Sequence, residues 1–139
     1  MTTTKICEHM RFTDDVICTS IEYLKRFYLK QSLYDFDGLD MMYTAIYLSI
    51  KVEEVNYRLH EFSAKNKGCS AEKVVQYETF LIKGLKFQFF IYSPYRSLNG
   101  FRQILTENSA DLAIDNFESK MEEIYRFAHK AIRKLHFTD

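Results

Sequence analysis

The sequence predicts an all-α fold, and its low glycine and proline content and its high apolar content are the main observations behind this. The 139 residues include 4 Gly and 1 Pro, too few for the turns that a β-sandwich or barrel needs every ~8 to 12 residues. Hydrophobic residues make up 47% and aromatic residues 16%, so a packed core can offset the ordering entropy of the chain. The composition therefore excludes a mainly disordered chain, and the length is that of one domain and little more.

The first strong helical pattern covers 14–31. Thr13 is a good N-cap residue and is followed by two aspartates, which favour the positive end of a helix dipole. Apolar residues then recur at helical spacing as far as Tyr28. The next segment, 35–38, has the aspartate and glycine composition of a turn.

The following helix, predicted at 39–52, is apolar on nearly every face. Such a helix belongs in the middle of a bundle rather than on its rim, so we call it the central helix. Its polar residues Thr44 and Lys51 are seven positions apart and share one narrow stripe with Tyr47 and Leu48. We expect this stripe to be the exposed one.

The rest of the chain predicts further helices separated by short connectors. Ser70 is a good start signal for a long helix, and the residue before Pro94 is biased towards extended backbone. The last helix carries a 3,4,3,4 apolar pattern from Ile114 to Leu135. Since no later element follows to cover that pattern, we expect it to be exposed. These helices are predicted at 57–64, 70–87, 97–105 and 114–135.

Motifs for catalysis or for a metal ion are incomplete in this sequence. His60 and Glu61 begin a zincin-like pattern, but Ala64 stands where the second histidine ligand belongs. The 35–38 segment does not keep the register of a calcium loop, and four scattered glycines cannot build a phosphate loop. We therefore predict no enzyme activity, no catalytic residue, no metal and no cofactor.

Charge and cysteine content limit the partners and the compartment. Lys plus Arg number 19 and Asp plus Glu number 19, so the net charge is zero. No overall field would then attract nucleic acid or an anionic membrane, and neither is predicted as a direct partner.

Three cysteines at irregular spacing fit no disulfide framework, and no run of ~18 apolar residues occurs. The sequence therefore predicts the cytosol or nucleus.

Two charged residues stand out because of their apolar surroundings. Lys51 lies on the polar stripe of the central helix, and Glu78 interrupts a stripe that contains Val75, Ile82 and Leu85. A carboxylate in such a stripe is costly unless it is paired or meets a partner. Spacing leaves three interpretations open: a structural pair of the two residues, two ordinary solvated positions, or a pair that binds another protein.

Four strings in this sequence resemble the cyclin box. They are 23–29 (YLKRFYL), 45–54 (AIYLSIKVEE), 77–87 (YETFLIKGLKF) and 94–101 (PYRSLNGF). The second is similar to the family's central helix ending in a lysine and acidic residues, and the third to its fifth helix with a glutamate. The Lys-Arg-Phe-Tyr and Pro-Tyr-Arg strings resemble the transcription-linked branch of the family. The Gly-Phe after Pro-Tyr-Arg is most similar to the cyclin H group, with the cyclin C group as the nearest alternative.

This resemblance implies a regulatory subunit that binds and activates a cyclin-dependent protein kinase, of the CDK-activating type linked to transcription and the cell cycle. It implies a nuclear and also cytoplasmic protein, and it allows a third assembly factor beside the kinase. Its kinase-binding residues correspond here to Lys51 and Glu78, which favours the partner-binding interpretation of this pair. The apolar part of the surface corresponds to Leu48, Val52, Ile82, Phe87 and Phe89.

The resemblance also implies a division of the chain into a cyclin box at 1–106 and the first helix of a second box at 107–139. Two departures from the family pattern are expected: the first box helix is largely missing, and the second box is truncated. The alternative from another functional class is a helical scaffold that binds no kinase and self-associates through its last helix, because that helix offers three heptads of apolar residues.

Overall fold

A computed structural model describes residues 2–108 and 116–136, and these form seven helices and no strand. The predicted all-α fold is therefore confirmed. No helix in these two ranges is long and apolar enough to cross a membrane. In chain order the helices are α1 (Thr3–His9), α2 (Asp14–Tyr28), α3 (Gly38–Val52), α4 (Leu59–Lys65), α5 (Ala71–Gly84), α6 (Pro94–Glu107) and α7 (Phe117–His136).

The chain forms two compact units, which divide between Ile91 and Tyr92. In the first unit α3 packs against α1, α2 and α5, and α4 contacts α5. In the second unit α6 packs against α7. The boundary that the resemblance implies lies between 106 and 107 and separates the first box from the start of a second. This division stays a prediction.

Helix α3 is the buried centre of the first unit, as its apolar sequence predicts. Its threonine and serine hydroxyls bond within the helix: Thr44 Oγ1 donates to the Asp40 carbonyl at 2.7 Å, and Ser49 Oγ donates to the Ile46 carbonyl at 2.7 Å. Thr44 and Leu48 are 0% and 4% exposed, so the prediction that their stripe faces solvent is wrong for both. A threonine hydroxyl bonded to its own helix can be buried at little cost.

Side-chain caps fix the starts of α2, α3 and α5. Thr13 accepts from the Val16 amide at 3.5 Å, and Ser70 accepts from the Lys73 amide at 3.4 Å, so both predicted N-caps are confirmed. Asp37, from the predicted turn, caps α3 with two bonds of 3.0 Å to backbone amides. Helices α2 and α5 end three residues earlier than predicted, because their last predicted residues form turns.

The second unit departs from the sequence prediction at its first helix. Helix α6 begins at Pro94, three residues before the predicted start. Proline is tolerated at the first helical position because that amide needs no partner. On α7, Ile124 is 59% exposed, which confirms the predicted exposure at this member of the apolar pattern. Its other described members, Phe117, Met121, Ala128 and Ala131, are only partly exposed. Phe127, outside the pattern, is 75% exposed. Ile114 lies outside the described residues, as does the side chain of Leu135.

Gly84 allows α5 to approach α2 closely. A Cβ atom at Gly84 would lie 2.6 Å from Cδ2 of Phe27, whose side chain is only 1% exposed. Gly84→Ala is therefore expected to lower the free energy of unfolding by ~1 to 3 kcal/mol through overpacking, measured by urea titration. Gly100→Ala is the matched control, since a Cβ there meets no atom within 4 Å. Equal stability of the two variants would contradict this packing.

The three cysteines are free. Burial raises the pKa of Cys7 to about 12, an effect that its hydrogen bond with Ser20 partly offsets. Burial, followed by the charge of Asp40, raises the pKa of Cys69 to about 11. Since the thiolate is the reactive form of cysteine, these two thiols have structural rather than nucleophilic character.

Candidate functional site

Lys51 and Glu78 form an ion pair between the last turn of α3 and the middle of α5. The Lys51 ammonium contacts Glu78 Oε1, and it is the one partner that we find for this buried oxygen among the described residues. The side chain of Lys51 is 46% exposed and that of Glu78 is 18% exposed. The structure thus brings together the two charged residues that the sequence singles out, at the surface of the first unit.

Tyr47 completes the immediate surroundings of the lysine. The Lys51 ammonium lies 5.2 Å from the centre of the Tyr47 ring, on the preceding turn of α3. An ammonium over an aromatic face gains ~0.5 to 1 kcal/mol at an exposed site. Because the Glu78 side chain is mostly buried, removing Lys51 would leave a carboxylate without its partner, so the ion pair contributes to the fold. The half-exposed Lys51 side chain remains accessible to another molecule.

The apolar residues of the predicted surface differ in their exposure. Leu48 is buried in the first unit, so it does not present a surface to a partner. Val52, Ile82 and Phe89 are partly exposed, and Phe87 is 69% exposed. We call Lys51, Glu78, Val52, Ile82, Phe87 and Phe89 the α3/α5 surface.

The segment after α5 presents Phe87 through an unusual backbone. Lys86 and Phe87 both have positive φ, 53° and 59°. A non-glycine residue in the left-handed region costs ~1 to 2 kcal/mol, and such strained residues concentrate at functional sites. Within this turn, the Phe87 amide donates to the Ile82 carbonyl at 3.1 Å. This geometry had no signal in the sequence.

Helix α2 holds the same segment in place. Tyr23 Oη donates to the Phe89 carbonyl at 2.7 Å, and Arg26 Nη1 donates to the Gln88 carbonyl at 3.4 Å. Burial, followed by the charge of Glu53, raises the pKa of Tyr23 to about 12. The phenol therefore stays protonated at neutral pH and remains a donor. The Phe89 ring lies 6.3 Å from the Phe87 ring in an edge-to-face arrangement.

Two further polar contacts orient α3, and sequence reasoning missed both. Lys73 of α5 pairs with the buried Asp40 of α3 at 2.7 Å, and this hydrogen bond raises the pKa of Lys73. Thr19 of α2 donates to Glu53 Oε1, just after α3, at 2.7 Å. The sequence held one signal for the contact of Asp40 with Lys73, because Asp40 stands within a nearly continuous apolar run.

The α3/α5 surface has the character of a protein-binding surface. It combines one ion pair with partly exposed apolar and aromatic side chains, the mixture found at protein interfaces. Within residues 2–108 and 116–136, no group of three or more histidine, cysteine or acidic side chains could hold a metal ion. A metal-binding role has no support in those ranges.

Comparison with known proteins shows which proteins this chain is similar to. A family model described as the cyclin N-terminal domain matches residues 3–89. Cyclin-H1-1 of Arabidopsis thaliana is 28% identical over 137 residues, 97% of this chain and 39% of that protein. A probable cyclin-H of Echinococcus multilocularis is 39% identical over 89 residues, 62% of this chain and 27% of that protein.

A solved structure shares the architecture. The structure of the yeast TFIIK complex of Kin28, Ccl1 and Tfb3 contains a chain that matches with a TM-score of 0.82 and 26% identity, covering 99% of this chain and 60% of that chain. The present chain spans well under half the length of the curated relatives above. The matched family region includes the whole α3/α5 surface.

Proposed function

The chain belongs to the cyclin family, and we propose that it is a regulatory cyclin that binds and activates a cyclin-dependent protein kinase of the CDK-activating type. The ion pair of Lys51 and Glu78 carries this proposal. It lies at the positions where the resemblance to the family puts the kinase-binding lysine and glutamate. Partly exposed apolar residues are close in the chain, with Val52 next to Lys51 and Ile82 one turn after Glu78. Similarity to cyclin-H relatives supports the kinase type.

Activation would follow from preferential binding to one conformation of the kinase. A protein kinase is active only when its β3 lysine pairs with the glutamate of its C-helix. The α3/α5 surface would press on that C-helix and favour the assembled arrangement. Shifting the kinase from 1:99 to 99:1 requires ~5.5 kcal/mol of differential affinity, and an interface of ~1,600 Å² is large enough to provide it.

The same proposal covers the cellular setting. The chain would contribute no catalytic residue of its own, because the kinase carries out phosphoryl transfer. The similar yeast chain belongs to a complex with a third protein, so we propose that a third assembly factor joins the complex of cyclin and kinase here as well. Transcription-linked relatives favour a nuclear role.

Reconstitution tests the proposal directly. The chain is mixed with the purified catalytic subunit of a CDK-activating kinase, and complex formation is measured by sedimentation velocity. We expect a 1:1 complex and increased phosphorylation of a peptide substrate compared with the kinase alone. A monomeric chain that neither binds nor activates this kinase contradicts the proposal, and binding only to the kinase partner of cyclin C supports the cyclin C group instead.

The same sedimentation experiment tests the scaffold alternative. Exposed Ile124 and Phe127 on α7 are the observation in its favour. A scaffold that self-associates through α7 would sediment as a dimer whose population rises with concentration. A concentration-independent monomer that binds the kinase excludes it.

A further inference from the structure

A groove on the first unit lies outside the α3/α5 surface. It is formed where α2 and α5 end, and its volume is about 250 Å³. Pockets for small molecules usually measure ~300 to 1,000 Å³, so this groove suits a protein side chain better than a complete small ligand. The lining residues are Arg26, Leu29, Lys30, Gly84, Leu85 and Gln88, and none of them belongs to the α3/α5 surface.

Two contacts join the helices that form the groove. The close packing of Gly84 on Phe27 fixes the distance between the two helices on one side. The hydrogen bond from Arg26 to the Gln88 carbonyl joins them on the other, at 3.4 Å. A preformed groove binds a ligand without the entropic cost of ordering its own walls.

The groove combines apolar surface with positive charge. Leu29 is 82% exposed at the end of α2, and Leu85 is almost fully buried at the end of α5. The two segments that form the groove, 25–30 and 83–88, contain five Lys or Arg residues and no Asp or Glu. In a chain of zero net charge, this is a local excess of positive charge, and no ion-pair partner is found for Lys30 among the described residues.

Helix stability alone does not explain this combination. Lysine and arginine in the last turn of a helix interact favourably with its dipole, which accounts for Lys25, Arg26 and Lys83 but not for Lys30, which lies after α2. It does not account for a leucine that stays mostly exposed beside them. A single-stranded nucleic acid fits less well, because its bases stack on aromatic rings and no aromatic residue lines the groove.

We propose that this groove docks a short acidic segment of a partner protein, with one bulky apolar side chain of that segment inserted beside Leu29 and Leu85. The acidic residues of the segment would pair with Arg26 and Lys30 at the rim. The groove shares no lining residue with the α3/α5 surface, although Gln88 lies between Phe87 and Phe89 in the chain. The proposed role is to hold a partner protein while a kinase is bound.

Selection from a display library of random ten-residue peptides tests the proposal on the full chain. We expect enrichment of peptides that carry a bulky apolar residue within a few positions of two or more acids. The enriched peptide is then measured by fluorescence anisotropy. Enrichment without this pattern overturns the proposal, as does an enriched peptide that binds Leu29→Gln as tightly as the unmodified chain.

Matched variants separate the groove from general charge and from the kinase site. Leu29→Gln and Lys30→Glu are each expected to weaken peptide binding at least tenfold. Their controls are Leu33→Gln, at another exposed leucine (67%), and Lys67→Glu, at an exposed lysine that does not line the groove. Both controls should bind the peptide normally. Glu78→Ala should also bind the peptide normally. Failure of the docking proposal can then be distinguished from failure of the proposed kinase binding.

Discussion

Glu78→Ala is expected to weaken kinase binding by ~2 to 5 kcal/mol, which is about 30- to 4,000-fold. The physical reason is that a kinase docked on the α3/α5 surface would remove both charges of the pair from water. Truncating Glu78 would then leave the Lys51 ammonium buried without its carboxylate. Lys51→Ala should have an effect of the same order, because it leaves the opposite charge unpaired. Titration calorimetry against the catalytic subunit measures both affinities.

Controls separate this effect from loss of fold. Glu72→Ala removes the same group from an exposed position in the first turn of α5, and it should leave the affinity almost unchanged. Circular dichroism checks that all three variants are folded, because truncating one member of the pair leaves the other charge without its partner and lowers stability. Unchanged affinity in a folded Glu78→Ala variant would show that the α3/α5 surface is not the kinase-binding surface.

Leu81→Ala is expected to cause a large loss of stability, ~2 to 5 kcal/mol in the free energy of unfolding. Leu81 is 0% exposed in the first unit, so truncation leaves a cavity that the surrounding helices fill only in part. Urea unfolding followed by circular dichroism measures the change. A small domain has ~5 to 15 kcal/mol of stability in total, so the variant should unfold at clearly lower urea concentration.

Leu33→Ala is the matched control for this change. Leu33 is the same residue type in the same unit but is 67% exposed, and its truncation should alter stability by less than ~0.5 kcal/mol. Similar urea midpoints for Leu81→Ala and Leu33→Ala would contradict the assignment of Leu81 to the core.

Sequence patterns identified most helices and the two charged residues of the site. They did not identify which side chains are buried. Thr44 illustrates the limit: its polarity and its stripe suggested exposure, yet its hydroxyl bonds to the Asp40 carbonyl and can be buried. Asp40 is a second case, because its partner Lys73 is 33 positions away in the chain. Local patterns carry no information on which distant residue will satisfy a buried group.

The sequence by itself determined the all-α fold, the central position of α3 and the capping of α2 and α5, since these depend on composition, periodicity and residues a few positions apart. Only the tertiary structure decided that Lys51 meets Glu78, that Leu48 lies in the core and that Phe87 is exposed by a left-handed turn. The physical reason is that an ion pair or a buried face depends on how separate helices pack, and packing is a property of the whole chain.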